Sequence, residues 1–285
     1  DNTPSNGIRV SDAKVLSGAR TPNWSTVDPS SLLASGVNAP TESRAVEHLT
    51  TSLASEFAYP KATLVGRFGN GVTGQAEVVA YHEGSKSEFH VIDTATNPSS
   101  IQRISLANLP TTVLANPTSA SNLAIAETTD VGKDVSDTTF TAGGVQSVDI
   151  TGDLLAVAVQ ANPKTNPGVI AFYSIGNDGK LTFVKKVRVG AQPDSVAFSP
   201  DGSKLVVANE GELSNTFKTD NIDPEGSISI ISISNNRPAD TATTLGFTDF
   251  NTGGSRAGEV PQGYRVGRPG ATLSQDTEPE YVAIS

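Results

Sequence analysis

The side chains of this sequence best suited to chemistry are carboxylates. Five fall within 16 residues: Glu210 and Glu212 in Asn209-Glu210-Gly211-Glu212, then Asp220, then Asp223 and Glu225 in Asp223-Pro224-Glu225-Gly226. Carboxylates this close repel one another unless a cation or basic groups neutralise them, and Lys218 alone does not suffice. Hard oxygen donors suit Ca²⁺ or Mg²⁺, and Gly211 and Gly226 would let backbone carbonyls approach an ion. The spacing differs from the twelve-residue EF-hand loop. A second acidic set, Asp276, Glu278 and Glu280, lies in Asp276-Thr277-Glu278-Pro279-Glu280-Tyr281. These eight are the candidate metal ligands, with Ca²⁺ the expected ion, and no residue is assigned a catalytic role. The competing reading is a solvated acidic loop whose carboxylates cap turns.

Other chemistries find less support. The chain has no Cys, which removes thiolate nucleophiles, disulfides and Cys-type zinc sites. Its three His residues, His48, His82 and His90, stand in no H-E-x-x-H pattern, and no G-x-S-x-G elbow or phosphate-cradling loop occurs in a strand-to-helix setting. Each His reads as an ordinary surface or core residue. The Gly-rich run from Gly66 to Gly74 precedes a strand and reads as a loop. Arg256, Arg265 and Arg268 could face an anion, although solvated loop charges are the simpler reading. With 20 basic against 30 acidic side chains the net charge is -10, and no basic stripe is present, which argues against nucleic-acid partners. No apolar run approaches the roughly 20 residues of a membrane-spanning helix. There is no Met, and the opening DNTPSNG is polar, so a removed secretory leader is expected upstream of Asp1.

The elements that must hold the carboxylates read as strands. Residues 1–58 are rich in Pro, Ser, Asn and Gly and predict a loop-rich N-terminal arm, anchored by Trp24. One short helix is expected over Ser43–Phe57, where Val46, Leu49 and Leu53 recur at helical spacing. Over 59–285 short β-prone runs alternate with turn residues. Four segments open alike: Ala76–Tyr81, Val145–Ile150, Pro193–Phe198 and Pro279–Ile284, each a polar residue followed by alternation around a shared Val. Glu77, Gln146, Asp194 and Glu280 hold the same position in them, where a polar side chain could tie neighbouring units through backbone amides or line a central channel. Second strands are expected at Leu154–Val159 and Leu205–Asn209, the latter after the tight turn Ser199-Pro200-Asp201-Gly202. Third strands are expected at Gly168–Ser174 and Ser227–Ser234, and fourth strands at Phe183–Val189 and Thr243–Phe250. The alternation of Ser and Ile in SISIISIS predicts one buried face and one small polar face.

Four antiparallel strands per unit with a shared opening predict an all-β fold, a β-propeller of four-stranded blades, with a sandwich as the alternative. The carboxylate-rich run then forms the connection between second and third strands of one blade, where a rigid sheet positions a long loop. About three units fit, whereas a closed ring needs four to eight, so the propeller is expected to continue beyond residue 285.

The segment AQPDSVAFSPDGSKLVVANEGELSNTFKTDNIDPEGSISIISIS resembles the core of the choice-of-anchor I domain family, and GVQSVDITGDLLAVAVQANPKTNPGVIAFYS and DTEPEYVAIS are similar to its neighbouring segments. QAEVVAYHEGSKSEFHVID matches more loosely. Leu213 stands where the family has Pro after NEGE, and Thr277 where it has Leu; neither change removes a carboxylate. The resemblance implies a secreted or surface-attached β-propeller, similar also to mesenchyme-specific cell-surface glycoproteins, while some relatives carry the name alkaline phosphatase. Glu210, Glu212, Asp223 and Glu225 match one motif and Asp276, Glu278 and Glu280 the other. The expected function is an exported, extracellular structural or interaction module that binds Ca²⁺ and joins a surface assembly, including by self-association. The alternative is a metal-dependent phosphoesterase, alkaline-phosphatase-like or phytase-like, in which clustered carboxylates hold cations that clamp phosphate and activate water.

Overall fold

The computed structural model describes residues 64–69, 76–92, 99–114 and 121–285. The expected arm over 1–58, its helix, Trp24 and His48 lie outside the described residues. Chain contacts divide the molecule at Thr63, and the unit Leu64–Ser285 holds everything described below.

Among the described residues, every strand belongs to one of three antiparallel sheets. The first runs in the order β1 (Ala76–His82), β2 (Ser87–Ile92), β3 (Ser100–Ser105), β4 (Ile125–Asp130). The second runs β5 (Ala142–Thr151), β6 (Leu154–Ala161), β7 (Pro167–Ile175), β8 (Leu181–Ala191). The third runs β9 (Pro193–Phe198), β10 (Lys204–Asn209), β11 (Ser227–Ser234), after which β12 (Arg237–Pro238) and β13 (Thr243–Gly246) share the far edge of β11. Each sheet is a four-step meander, the blade of a β-propeller. The fourth strand expected over Thr243–Phe250 stops at Gly246, because the chain turns into a 3₁₀ helix at Thr248–Phe250.

The hairpin between β9 and β10 follows its turn chemistry. Gly202 adopts φ +67, which a side chain would resist, and the Asp201 carboxylate accepts from the Ser199 hydroxyl at 2.6 Å and the Ser203 amide at 3.0 Å.

Two apolar cores flank the middle blade. Leu155, Val157 and Val159 of β6, with Val169, Ala171, Tyr173 and Ile175 of β7, pack toward the first blade against Phe89, Val91 and Ile101. A short helix α1 (Val131–Val135) adds Val131 and Val135 to that core. The alternate residues Leu154, Ala156, Ala158, Ile170 and Phe172 pack toward the third blade against Val196, Leu205, Val207 and Ile231. Burial on both faces is why LLAVAV has no polar alternation, since successive strand residues point to opposite faces.

The strand SISIISIS departs from a simple two-faced reading. Its adjacent Ile230 and Ile231 shift the phase of the pattern, so one face carries Ser227, Ser229, Ile231 and Ile233, all buried. The other carries half-buried Ile228 and Ile230, then exposed Ser232 and Ser234. The inward face is therefore polar at one end and apolar at the other.

Neighbouring blades are stitched at their opening strands. The Val196 amide donates to the Ser147 hydroxyl at 3.3 Å, the Phe198 amide to the Asp149 carboxylate at 2.7 Å, and the Val282 amide to the Ser195 hydroxyl at 3.4 Å. Pro279–Ile284 forms no ladder with a neighbouring strand, yet Val282 meets the third residue of β9 as Val196 meets the third residue of the Val145–Ile150 segment in β5. The side chains seen to accept these amides are Ser147, Asp149 and Ser195.

Candidate functional site

The site begins where β10 ends. Asn209 is buried, and its amide nitrogen donates to the Ser227 carbonyl and hydroxyl, both at 3.2 Å, and to the Ser229 hydroxyl at 2.9 Å. The polar half of SISIISIS exists to receive this side chain. Beyond it the Glu210 amide donates to the Gln192 carbonyl at 2.9 Å, fixing the exit direction of the chain. Gly211 follows at φ +68, and a Cβ there would lie 2.7 Å from the Glu225 carbonyl oxygen. A Cβ on Gly226 would run into the Thr277 carbonyl. The two motif glycines thus let three loop segments pass in backbone contact, and the Gly226 amide bonds the Ser274 carbonyl at 2.9 Å.

This crossing brings Glu210 under the electrostatic influence of three other candidate carboxylates, Glu212, Glu278 and Glu280. Glu210 accepts from the Gln192 carboxamide nitrogen, and Glu212 accepts from the same nitrogen at 2.9 Å and from the Lys164 ammonium. Lys164 reaches over from the loop between β6 and β7 of the middle blade. Partial burial, then repulsion from Glu212, Asp194, Glu278 and Glu280, pushes the Glu210 carboxyl up to about 7. The Lys164 and Gln192 hydrogen bonds hold Glu212 below its ordinary value. Glu278 is raised by burial and by Glu212 and Asp276, against the opposing pull of Arg268 and Lys164.

The remaining candidates serve the loops. Asp220 closes the four-residue helix α2 (Phe217–Asp220), accepting from the Ser214 and Thr216 hydroxyls and from the Ile222 amide at 3.0 Å. Asp223, its side chain only 4% exposed, pairs with Arg268, whose guanidinium lies 4.9 Å from the Phe217 ring centroid. Glu225 accepts from the Ser274 hydroxyl at 3.0 Å. Asp276 ends helix α3 (Leu273–Asp276), which opens on a Thr272–Gln275 capping box, and takes the Gly267 and Arg268 amides. The eight therefore divide into Glu210, Glu212, Glu278 and Glu280 on one side and four structural carboxylates on the other. As the side chains stand, no three His, Asp or Glu groups among the described residues gather in a metal-holding arrangement.

The donors of the first set are all oxygens, as a hard divalent cation requires. One further oxygen belongs with them. Gln192 is 8% exposed, adopts φ +49, and its carboxamide oxygen is buried without a hydrogen-bond partner. Gln192 and Lys164 were not singled out in the sequence; the one available signal was the position of Gln192 just ahead of the Pro193-Asp194 opening. Of the arginines expected to face an anion, Arg268 is engaged by Asp223 and Arg256 by Glu259, beside the Phe250 ring.

The two described histidines are ordinary buried and half-buried residues, as the sequence suggests. His82 is buried, its Nε2 lies 3.0 Å from the Asp153 carboxylate and its Nδ1 2.9 Å from the Ser85 hydroxyl. It ties the β1–β2 hairpin of one blade to the β5–β6 hairpin of the next. His90 meets Glu88 at 3.2 Å and stands edge-on to Phe68.

Comparison with known proteins gives a family. The family model described as "Choice-of-anchor I domain" matches residues 74–285. A mesenchyme-specific cell surface glycoprotein of Strongylocentrotus purpuratus is 29% identical over 118 residues, which is 40% of this chain and 15% of that protein, so the chain spans a small part of this relative. Among solved structures, a periplasmic gluconolactonase of Pseudomonas aeruginosa aligns over 59% of this chain and 38% of its own, at 16% identity and TM-score 0.40. A putative 6-phosphogluconolactonase of Bacteroides fragilis aligns over 59% and 41%, at 12% identity and TM-score 0.37.

Proposed function

Because the chain belongs to the choice-of-anchor I domain family, we propose that it is a surface-exposed or extracellular β-propeller module that acts in structure and interaction, with Ca²⁺ held by Glu210, Glu212, Glu278 and Glu280. The observation carrying this reading is the excess negative charge at the loop crossing: Glu210 feels four other carboxylates, and the lysine that reaches the group is bonded to Glu212. The surface location is supported by the cell-surface glycoprotein similar to part of this chain. Bound calcium would supply the positive charge that lets these carboxylates ionise together. The chain's own part is to hold the NEGE turn, the DPEG turn and the Thr277–Glu280 segment in backbone contact, so that their side chains share one region. Partners in a surface assembly, including a second copy of this chain, belong to the same proposal.

Phosphoester hydrolysis, the second reading, needs positive charge facing a phosphate, and Lys164 and Arg268 are each engaged by a carboxylate. A calcium titration with and without chelator, reading thermal stability and release of a chromogenic phosphate together, separates the two. The expected result is stabilisation without turnover, about 2.7 kcal/mol when calcium stands at a hundred times its Kd. Turnover that vanishes in a folded Glu210→Gln variant would make the enzyme reading the better one. A calcium-independent melting curve would remove the metal site.

A further inference from the structure

We propose that Gln192 and Lys164 control this cation site: the Gln192 carboxamide oxygen is a ligand of the metal, and the Lys164 ammonium is a tethered cation that the metal displaces. The inference rests on the calcium reading above and extends it to two residues outside the acidic motifs.

Gln192 carries the first half. It sits between β8 and β9 at φ +49, a backbone conformation that favours Gly, Asn and Asp over Gln, so a residue of this length is kept there at some cost. Its carboxamide nitrogen donates to both Glu210 and Glu212. Its oxygen, on the same carbon, is buried with no partner. A buried carbonyl left unpaired costs about 1–3 kcal/mol. Gln102, Asn209 and Asp223 also leave one buried side-chain oxygen each without a partner, and of the four only that of Gln192 belongs to a side chain bonded to two of the proposed ligands. In the absence of metal the nitrogen must face the carboxylates, because an oxygen there would repel them. A half-turn of the amide exchanges the two atoms and presents its oxygen, with Glu210 and Glu212, to one cation. The unpaired atom is thus the ligand turned away.

Lys164 carries the second half. Its ammonium comes from the neighbouring blade, is largely withdrawn from solvent, and lies on the same Glu212 oxygen that accepts from Gln192. A divalent cation on that oxygen and an ammonium in bonding distance of it repel each other, so the two occupy the site in alternation. Metal binding then frees Lys164, and with it the loop between β6 and β7, which would report on the cation to whatever contacts that end of the middle blade.

The test is calcium binding by isothermal titration to the full chain and to Lys164→Met, Lys164→Gln and Gln192→Asn, with metal-free melting curves as the check of folding. Asn accepts positive φ, so Gln192→Asn shortens the reach of the amide without straining the turn. The expected results are a Kd about tenfold lower in both Lys164 variants and about tenfold higher in Gln192→Asn, the scale on which groups surrounding a metal act. Unchanged or weaker binding in both Lys164 variants overturns the displacement. An unchanged Kd in Gln192→Asn overturns the ligand role. Absence of binding in the parent chain and all variants overturns the calcium reading itself, which keeps the two failures apart.

Discussion

In the middle blade every side chain from Leu154 to Val159 and from Val169 to Tyr173 is buried, and none of them is charged. In the acidic corner, residues 210–226 and 264–280, only Gly211, Ser214, Gly226 and Ser274 reach that burial, and the fastening is done by Arg268 on Asp223, Lys164 on Glu212 and hydroxyls on Glu225 and Asp220. The first region is held by apolar surface removed from water, which is indifferent to pH and ions over the physiological range. The second is held by pairings whose strength depends on protonation, salt and cations. A single chain thus joins a fixed scaffold to an adjustable corner, and the adjustable part is where the family motifs lie.

The largest expected effect is in the scaffold. Phe172→Ala, at a fully buried position in the second core, should cost about 3–5 kcal/mol in urea unfolding. A loss below about 1 kcal/mol would contradict a core on both faces of the middle blade. In the corner, Asp223→Ala strands Arg268 and should cost about 3 kcal/mol. That loss should be local, appearing as faster amide exchange over residues 217–226 and 264–276 with β6 and β7 still protected. Equal loss of protection in both regions would erase the distinction between them.

A pH series sharpens the contrast. Burial and neighbouring carboxylates lift Glu210 from the ordinary 4.5 to about 7. Between those values the folded chain binds more protons than the unfolded one, so this group's contribution is full below pH 4.5 and is lost as pH rises through 7. Glu278 acts in the same direction, while Glu212, held low by Lys164, loses its contribution as pH falls. Glu210→Gln should therefore flatten the decline in stability between pH 5 and pH 8, read from melting temperatures across that range. A slope equal to the parent's would show that other groups produce it. The smallest effect is at the blade-to-blade tie: Asp153, 69% exposed at its side chain, bonds His82, and Asp153→Asn should cost about 1 kcal/mol or less.

Strand content was readable because the middle and third blades are locally consistent. LLAVAV, GVIAFYS and LVVAN each lie in the strand expected of them, β6, β7 and β10, and SISIISIS is β11 in full. The burial of Ser227 and Ser229 was not, because it depends on Asn209, a partner in another strand. The acidic motifs were readable as a group, but their division was not. Nothing in the spacing of Asp223 and Asp276 says that Arg268 and a turn of backbone amides lie against them. Gln192 and Lys164 escaped notice for the same reason: each matters through a neighbour far along the chain, and neither type marks a site by itself.

The hydroxyl-to-amide stitch between opening strands spans 49 residues from Ser147 to Val196 and 87 from Ser195 to Val282, yet ends in the same contact. Angular position around the propeller is therefore set by a side chain and an amide, with the number of residues in between left open. A lineage could lengthen the excursion after β10, add ligands to it or recast it entirely, and the following segment would still find its rung. The corner can change its chemistry over evolutionary time without asking the scaffold to be rebuilt.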